Sequence, residues 1–180
     1  LRAWAKLIQS KIKRLVTTPA IENALSVDNK KSSWTPSIDL TSRLDPKYYG
    51  SKALAVLYAT TNFGIPLKNL VVGICNGFEE RNFFDEGITY ITVSEVSSGR
   101  LDVGSAPKIH STTDIPSKAK INDKCVLVVR TGSIGTAVKV DRRDAEAVIS
   151  SHLIKLEFES EETAAAVASF LNAEAGKVLL

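Results

Sequence analysis

Methionine is absent from all 180 residues, cysteine and histidine occur twice each, and tryptophan twice. A chain with no methionine, even at its first position, is expected to be a fragment of something longer. No apolar run approaches the roughly 18 residues a membrane span requires, and the opening Leu1-Arg2-Ala3-Trp4-Ala5-Lys6 lacks the long apolar region of a secretion signal. No membrane partner is expected. Cys75 and Cys125 lie fifty positions apart in apolar runs, with neither a CxxC pair nor a framework of close spacings. That usage fits a reducing cytoplasm and two small buried hydrophobes.

What is present is ordinary globular material: 44% hydrophobic and 24% charged residues, which excludes a disordered or fibrous chain. The net charge of +3 conceals a partition. Residues 1–31 carry seven Lys/Arg against two Asp/Glu, residues 32–155 fifteen against thirteen, and residues 156–180 one against five. Within residues 100–155, ten bases face six acids. A modest basic face on that segment would suit phosphates, because displaced counterions drive such association.

Residues 2–16 place Trp4, Ile8, Ile12 and Leu15 on one helical stripe, with Arg2, Lys6, Lys13 and Arg14 mostly opposite. Thr17-Thr18-Pro19 ends that helix, and the polar stretch through Asp28–Ser33 reads as a linker, so residues 1–35 form an arm and 36–180 the main domain. Asp45-Pro46 signals a second helix, whose stripe Tyr49, Ala53, Leu54, Leu57, Tyr58 runs to Gly64. Short apolar runs then predict strands near Leu70–Ile74, Thr89–Val93, Cys125–Arg130, Gly135–Val140 and Ala147–Phe158, the last with a possible bend. Turns fall at Ser97-Ser98-Gly99 and Thr131-Gly132-Ser133. A third helix opens with Glu161 and Glu162, buries Val167, Phe170, Leu171 and Ala175, and ends at Gly176. The fold class expected is α+β: a strongly twisted, mostly antiparallel sheet core flanked by helices near both ends of the chain.

Catalytic constellations fit poorly. Thr131-Gly132-Ser133-Ile134-Gly135 resembles a nucleophile elbow, but Thr131 stands where glycine is required and a strand follows. Ser151 and His152, adjacent in a strand, would point to opposite faces and could not pair. His110, His152 and two distant cysteines have no zinc spacing, no acidic loop suits calcium, and no Gly-rich strand-to-helix fingerprint suggests a dinucleotide. The only acid-x-Lys triplets, at Asp28 and Asp45, fall in a loop and at a helix start, poor places for a nuclease centre. No metal or cofactor is expected. What remains is a polar turn between apolar strands. Its glycines permit close approach, Arg130 suits a bidentate contact to guanine or phosphate, and Thr131 and Ser133 supply hydroxyls. The same turn reads equally as an ordinary hairpin with a surface arginine, and His152 as a partly buried structural histidine beside Ile149, Leu153 and Leu156.

The stretches Ser42-Arg43-Leu44-Asp45-Pro46-Lys47-Tyr48-Tyr49 and Gly87–Val96 with Gly99-Arg100-Leu101-Asp102 resemble the opening and first hairpin of a target recognition domain from type I restriction-modification specificity subunits. Lys124–Gly135 is similar to that family's strand, arginine and glycine turn. Ile149–Ile154 is similar to its next strand, and Phe170-Leu171-Asn172 with Gly176 to its closing helix. The likeness runs from about residue 40 to 180, and the arm at 1–35 has no counterpart. It implies a cytoplasmic, non-catalytic protein that reads one half of a bipartite site in double-stranded DNA for partner methyltransferase (modification) and endonuclease (restriction) subunits. Chemistry, including the swinging-out of the methylated adenine, belongs to those partners. The DNA-binding residues so implied are Arg130, Thr131, Gly132 and Ser133, Arg100 and Lys108 on a neighbouring loop, and Ser151 and His152. Two alternatives stand beside it: the same domain fused behind an adenine DNA methyltransferase, and a protein-interaction module whose terminal helices dock partner helices.

Overall fold

The computed structural model describes residues 19–27, 50–96 and 98–179. The helix expected over 2–16, the Asp28–Ser33 linker and the Asp45-Pro46 helix start lie outside them. The chain divides into two compact units, one formed by the residues up to Pro66 together with those from Ala173 onward, the other by Leu67–Asn172.

In the first unit, helix α1 (Pro19–Leu25) packs on α2 (Ser51–Phe63), which also meets α4 (Glu174–Leu179). Sequence reading took residues 19–25 for arm and linker. Pro19 instead sits at the first helical position, where its missing N–H costs nothing, and Ile21 and Ala24 are buried. Helix α2 follows Gly50, whose carbonyl accepts from Leu54 N at 3.0 Å, and it ends where Gly64 N–H donates to Thr60 O at 2.7 Å. The buried positions are Ala53, Val56 and Ala59; of the expected stripe Ala53 is buried, Leu54 and Leu57 are half-buried and Tyr58 is 57% exposed. The face that turns inward is chosen by where α1 and α4 lie, which α2's own pattern does not specify. Lys52 Nζ donates to Glu174 Oε1 at 2.5 Å, tying α2 to α4.

The second unit holds, among the described residues, β1 (Val71–Asn76), β2 (Ile88–Ile91), β3 (Lys108–Ile109), β4 (Cys125–Val129), β5 (Ala137–Lys139), β6 (Val148–Ile149), β7 (Leu153–Phe158) and helix α3 (Glu161–Asn172). Strands fall in the middle of the chain and helices on either side of them, an α+β arrangement. One sheet has the order β1-β7-β4-β5, antiparallel throughout; the other, β3-β2-β6, is antiparallel at β2–β3 and parallel at β2–β6. β4 and β7 bury side chains on both faces; β4 reads as an unbroken apolar run, while β7 is interrupted by Lys155 and Glu157. Cys125, Leu127, Val129 and Leu153 enter one core cluster with Ile91, Val96 and Ile149. Val126, Leu156 and Phe158 enter a second cluster under Ala164, Val167, Ala168 and Leu171 of α3. Alternate residues of a strand point to opposite faces, which divides the two sets.

Three expectations need correction. The strand predicted over Ala147–Phe158 is two strands, β6 and β7, separated by a turn at Ser151-His152. Phe78 pairs with the chain at this break: its N–H donates to Ile149 O at 3.2 Å, and its carbonyl accepts from Ser151 N at 2.9 Å. The last helix breaks at Ala173, and Gly176 is buried inside α4 instead of ending a helix. Cys75 is half-buried, with its thiol donating to Lys118 O at 2.9 Å, whereas Cys125 is fully buried as expected. Burial pushes the Cys125 thiol above its ordinary pKa.

β5 is an edge strand, and edges leave backbone groups to be satisfied. Asn172 does this from the end of α3. Its Nδ2 donates to Ala137 O at 2.6 Å, and its Oδ1 accepts from Ala137 N at 3.2 Å, so the side-chain amide takes the place of a neighbouring strand. Ala137 is 1% exposed, so water cannot substitute. Asn172→Ala is expected to cost about 1–3 kcal/mol through two stranded backbone groups. Urea unfolding measures this, and a cost near zero would show that β5 does not depend on that amide.

Candidate functional site

The site is built at the end of the sheet where β4 pairs with β7 through Val129 and Leu153. Beyond Val129, the β4–β5 hairpin closes with Gly135 N donating to Val129 O at 3.0 Å and Val129 N to Thr136 O at 2.9 Å. Gly132 and Gly135 have φ of +83° and +84°, a region that side-chain-bearing residues adopt only under strain. These two dihedrals fold the chain back tightly enough that Arg130, Thr131, Gly132, Ser133 and Ile134 all stand exposed at the tip. Ile134 is 73% exposed, an apolar side chain held out among polar neighbours.

The turn between β6 and β7 meets this tip. Arg130 N donates to His152 O at 3.0 Å, and Thr131 Oγ1 and His152 Nδ1 are 3.0 Å apart. His152 is therefore an exposed turn residue, not the partly buried strand histidine expected, and the opposite-faces argument for Ser151 and His152 does not apply to it. Its imidazole and the Thr131 hydroxyl form one polar surface. Ser151 is half-buried, its N–H donating to Phe78 O, while its neighbour Ser150 is 3% exposed with a hydroxyl that has no hydrogen-bond partner among the described residues.

A third segment, the loop after β2, lies against the tip: a Cβ built on Gly132 would stand 3.8 Å from Val93 Cγ1. Glu95 organises this loop. Its carboxylate, 4% exposed with the rest of the residue, accepts from Thr92 N and Thr92 Oγ1, both at 2.7 Å, and its backbone carbonyl accepts from Asp102 N at 2.9 Å. The turn at Ser98-Gly99, with Gly99 at φ +76°, then leads to Arg100, which is exposed.

Six of the residues implied by the sequence thus converge directly: Arg130, Thr131, Gly132, Ser133, Ser151 and His152. Arg100 belongs to the loop that touches them. Lys108 does not lie on that loop. It is half-buried in β3, paired with Thr89, and its carbonyl accepts from Phe84 N at 2.9 Å. Sequence reasoning missed the segment Phe78–Arg81, which reaches the turn through the backbone of Phe78. The Arg81 guanidinium, bonded to the Glu79 carboxylate, holds that acid below the usual carboxylate range, and nearby His152 acts in the same direction. Only the exposed-looking Phe83-Phe84 pair marks this segment locally; both rings are about half exposed.

The electrostatics are local. Residues 67–172 carry twelve Lys/Arg and fifteen Asp/Glu, so the unit as a whole is acidic. Of the ten bases in residues 100–155, four are engaged: Arg142 with Asp123, Arg143 with Asp141 and Asp144, Lys139 with Glu161 and Asp141, and Lys155 with Glu157. Arg100, Lys108 and Arg130 have no carboxylate partner among the described residues. No group of three or more His, Cys, Asp or Glu able to hold a metal occurs among the described residues. Nor is any described helix long and apolar enough to cross a membrane.

Neither a protein-family model nor a curated protein matches the chain.

The backbone of Gly132 supplies a direct check. Space is not limiting there, since the nearest atom to a built Cβ is 3.8 Å away, but the dihedral is. Gly132→Ala is expected to cost about 1–2 kcal/mol, read from urea midpoints, and a neutral result would mean that the tip does not hold its left-handed turn.

Proposed function

We propose that the chain is a DNA target recognition domain of the kind found in type I restriction-modification specificity subunits, reading half of a split site and performing no chemistry itself. The observation that carries this reading is the convergence of Arg130, Thr131, Ser133 and His152 on one exposed tip, beside the loop bearing Arg100. A guanidinium with no acidic partner is free for the bidentate contact that guanine O6 and N7 accept in the major groove. Hydroxyls and a surface imidazole suit either base edges or phosphates, and Ile134 offers apolar contact to a thymine methyl. Partner modification and restriction subunits would supply methyl transfer and cleavage. A cytoplasmic setting goes with this function, and the two free thiols agree with it.

One feature favours a second reading, an interaction module. Phe83 and Phe84 stand half exposed in a segment that also carries Glu79, Glu80, Asp85 and Glu86, chemistry suited to a basic protein surface and not to DNA. The two readings separate in one titration. On random duplex, fluorescence anisotropy should show affinity falling steeply between about 50 and 200 mM salt. Arg130→Ala should weaken binding by about 1–3 kcal/mol, while Phe83→Ala should leave it unchanged. Salt-insensitive or absent binding, both for the chain alone and assembled with modification subunits, would overturn the DNA reading.

A further inference from the structure

At the other end of β7 from the hairpin tip, a cavity of about 360 Å³ opens between β1 and residues 117–122. Its floor is a cross-strand square: Gly73 pairs with Glu157 and Cys75 with Lys155. A Cβ on Gly73 would stand in ordinary contact with Glu157, 3.4 Å from its Oε2, so a longer side chain there would take up cavity space. The Lys155 side chain is 7% exposed; its ammonium donates to Lys120 O at 2.8 Å and lies 3.5 Å from Glu157 Oε2. Glu157 Oε1 accepts in turn from Asn122 Nδ2 at 2.9 Å. An ammonium has three donors, so these partners leave one N–H of Lys155 unassigned.

The pair of buried Lys155 and half-buried Glu157 is neutral as a unit. Lys118 and Lys120, which also line the cavity, are exposed and have no carboxylate partner among the described residues. Their backbone carbonyls accept from Cys75 Sγ and Lys155 Nζ, and the charges of the lining residues sum to two positive within a unit that is acidic as a whole. Two unmatched ammonium groups, a spare buried donor and the Ser117 hydroxyl call for a ligand with two negative charges and several acceptor oxygens. A carboxylate would leave one ammonium unmatched. A DNA phosphodiester carries one charge, and the cavity's residues on β7, Lys155 and Glu157, lie two and four residues from Leu153, about 7 and 13 Å at strand spacing.

We propose that this cavity binds a small phosphomonoester dianion, with Lys118 and Lys120 contacting its oxygens and the Lys155–Glu157 pair forming a rigid polar floor. The proposal does not depend on the DNA reading. The test is calorimetric titration of the full chain with inorganic phosphate near about pH 7.5, where the dianion dominates, run beside a short duplex. Saturable phosphate binding is expected. The surface double variant Lys118→Gln/Lys120→Gln should weaken it about tenfold or more, the loss expected for charge-assisted hydrogen bonds, with unchanged thermal stability and unchanged duplex affinity. Gly73→Val, which fills the floor, should weaken it as well. Absence of saturable binding, or binding indifferent to both variants, would overturn the proposal. Loss of phosphate and duplex binding together in the double variant would also overturn it, by assigning the lysines to the DNA backbone.

Discussion

Two-sided burial of β4 and β7 is the constraint from which the rest of the second unit follows. Each strand sends alternate residues into two separate clusters, Leu127 and Leu153 to one side, Val126, Leu156 and Phe158 to the other. A one-residue slip in their register would exchange both sets at once, which makes the pairing from Cys125↔Glu157 to Val129↔Leu153 strongly specified. The Arg130–Gly135 tip and the Ser151-His152 turn leave the sheet from the last pair of that ladder. Their meeting is thus set by core packing, and the hydrogen bonds between them add to a geometry already determined.

The same ladder explains why polar groups could be placed at both of its ends. At the Val129 end the chain leaves the sheet, and left-handed glycines hold hydroxyls, a guanidinium and an imidazole in solvent without burying them. At the Cys125 end polar groups remain within the sheet, and burying Lys155 is tolerable only because a carbonyl and a carboxylate meet its ammonium. An acidic unit whose unpaired cations, apart from Lys108 in β3, stand in particular connecting segments would bind anions by position more than by its overall field, so shape and register would count for more than net charge.

How much of this could be read from the sequence depends on whether the cause was local. The hairpin over residues 125–140 was legible, since an apolar run, a glycine turn and a second run are adjacent in the chain. The exposed turn at Arg130–Ser133 was legible for the same reason, whereas Ser151 and His152 were singled out only through the family resemblance. A bend within Ala147–Phe158 was anticipated, but not its place or partner: Phe78, more than seventy residues away, bonds to Ile149 and Ser151 there, and Ser150-Ser151-His152 alone looks like continuing strand. Lys108 was misplaced because β3 is two residues long, too short for any periodicity. Tyr58 and Gly176 were misread because the inward faces of α2 and α4 depend on their partners, and a glycine that elsewhere ends helices lies buried in this one.

The central claim is that the Arg130 tip, the His152 turn and the Arg100 loop form one surface for a duplex. The most direct measurement is an NMR titration of the chain with duplex DNA. The account predicts that amide signals of residues 130–135, 151–152 and 99–100 shift together along one binding curve, while those of residues 73–75 and 117–122 stay fixed. Shifts confined to Phe83 and Phe84, or scattered over the unit with the tip unmoved, would contradict it.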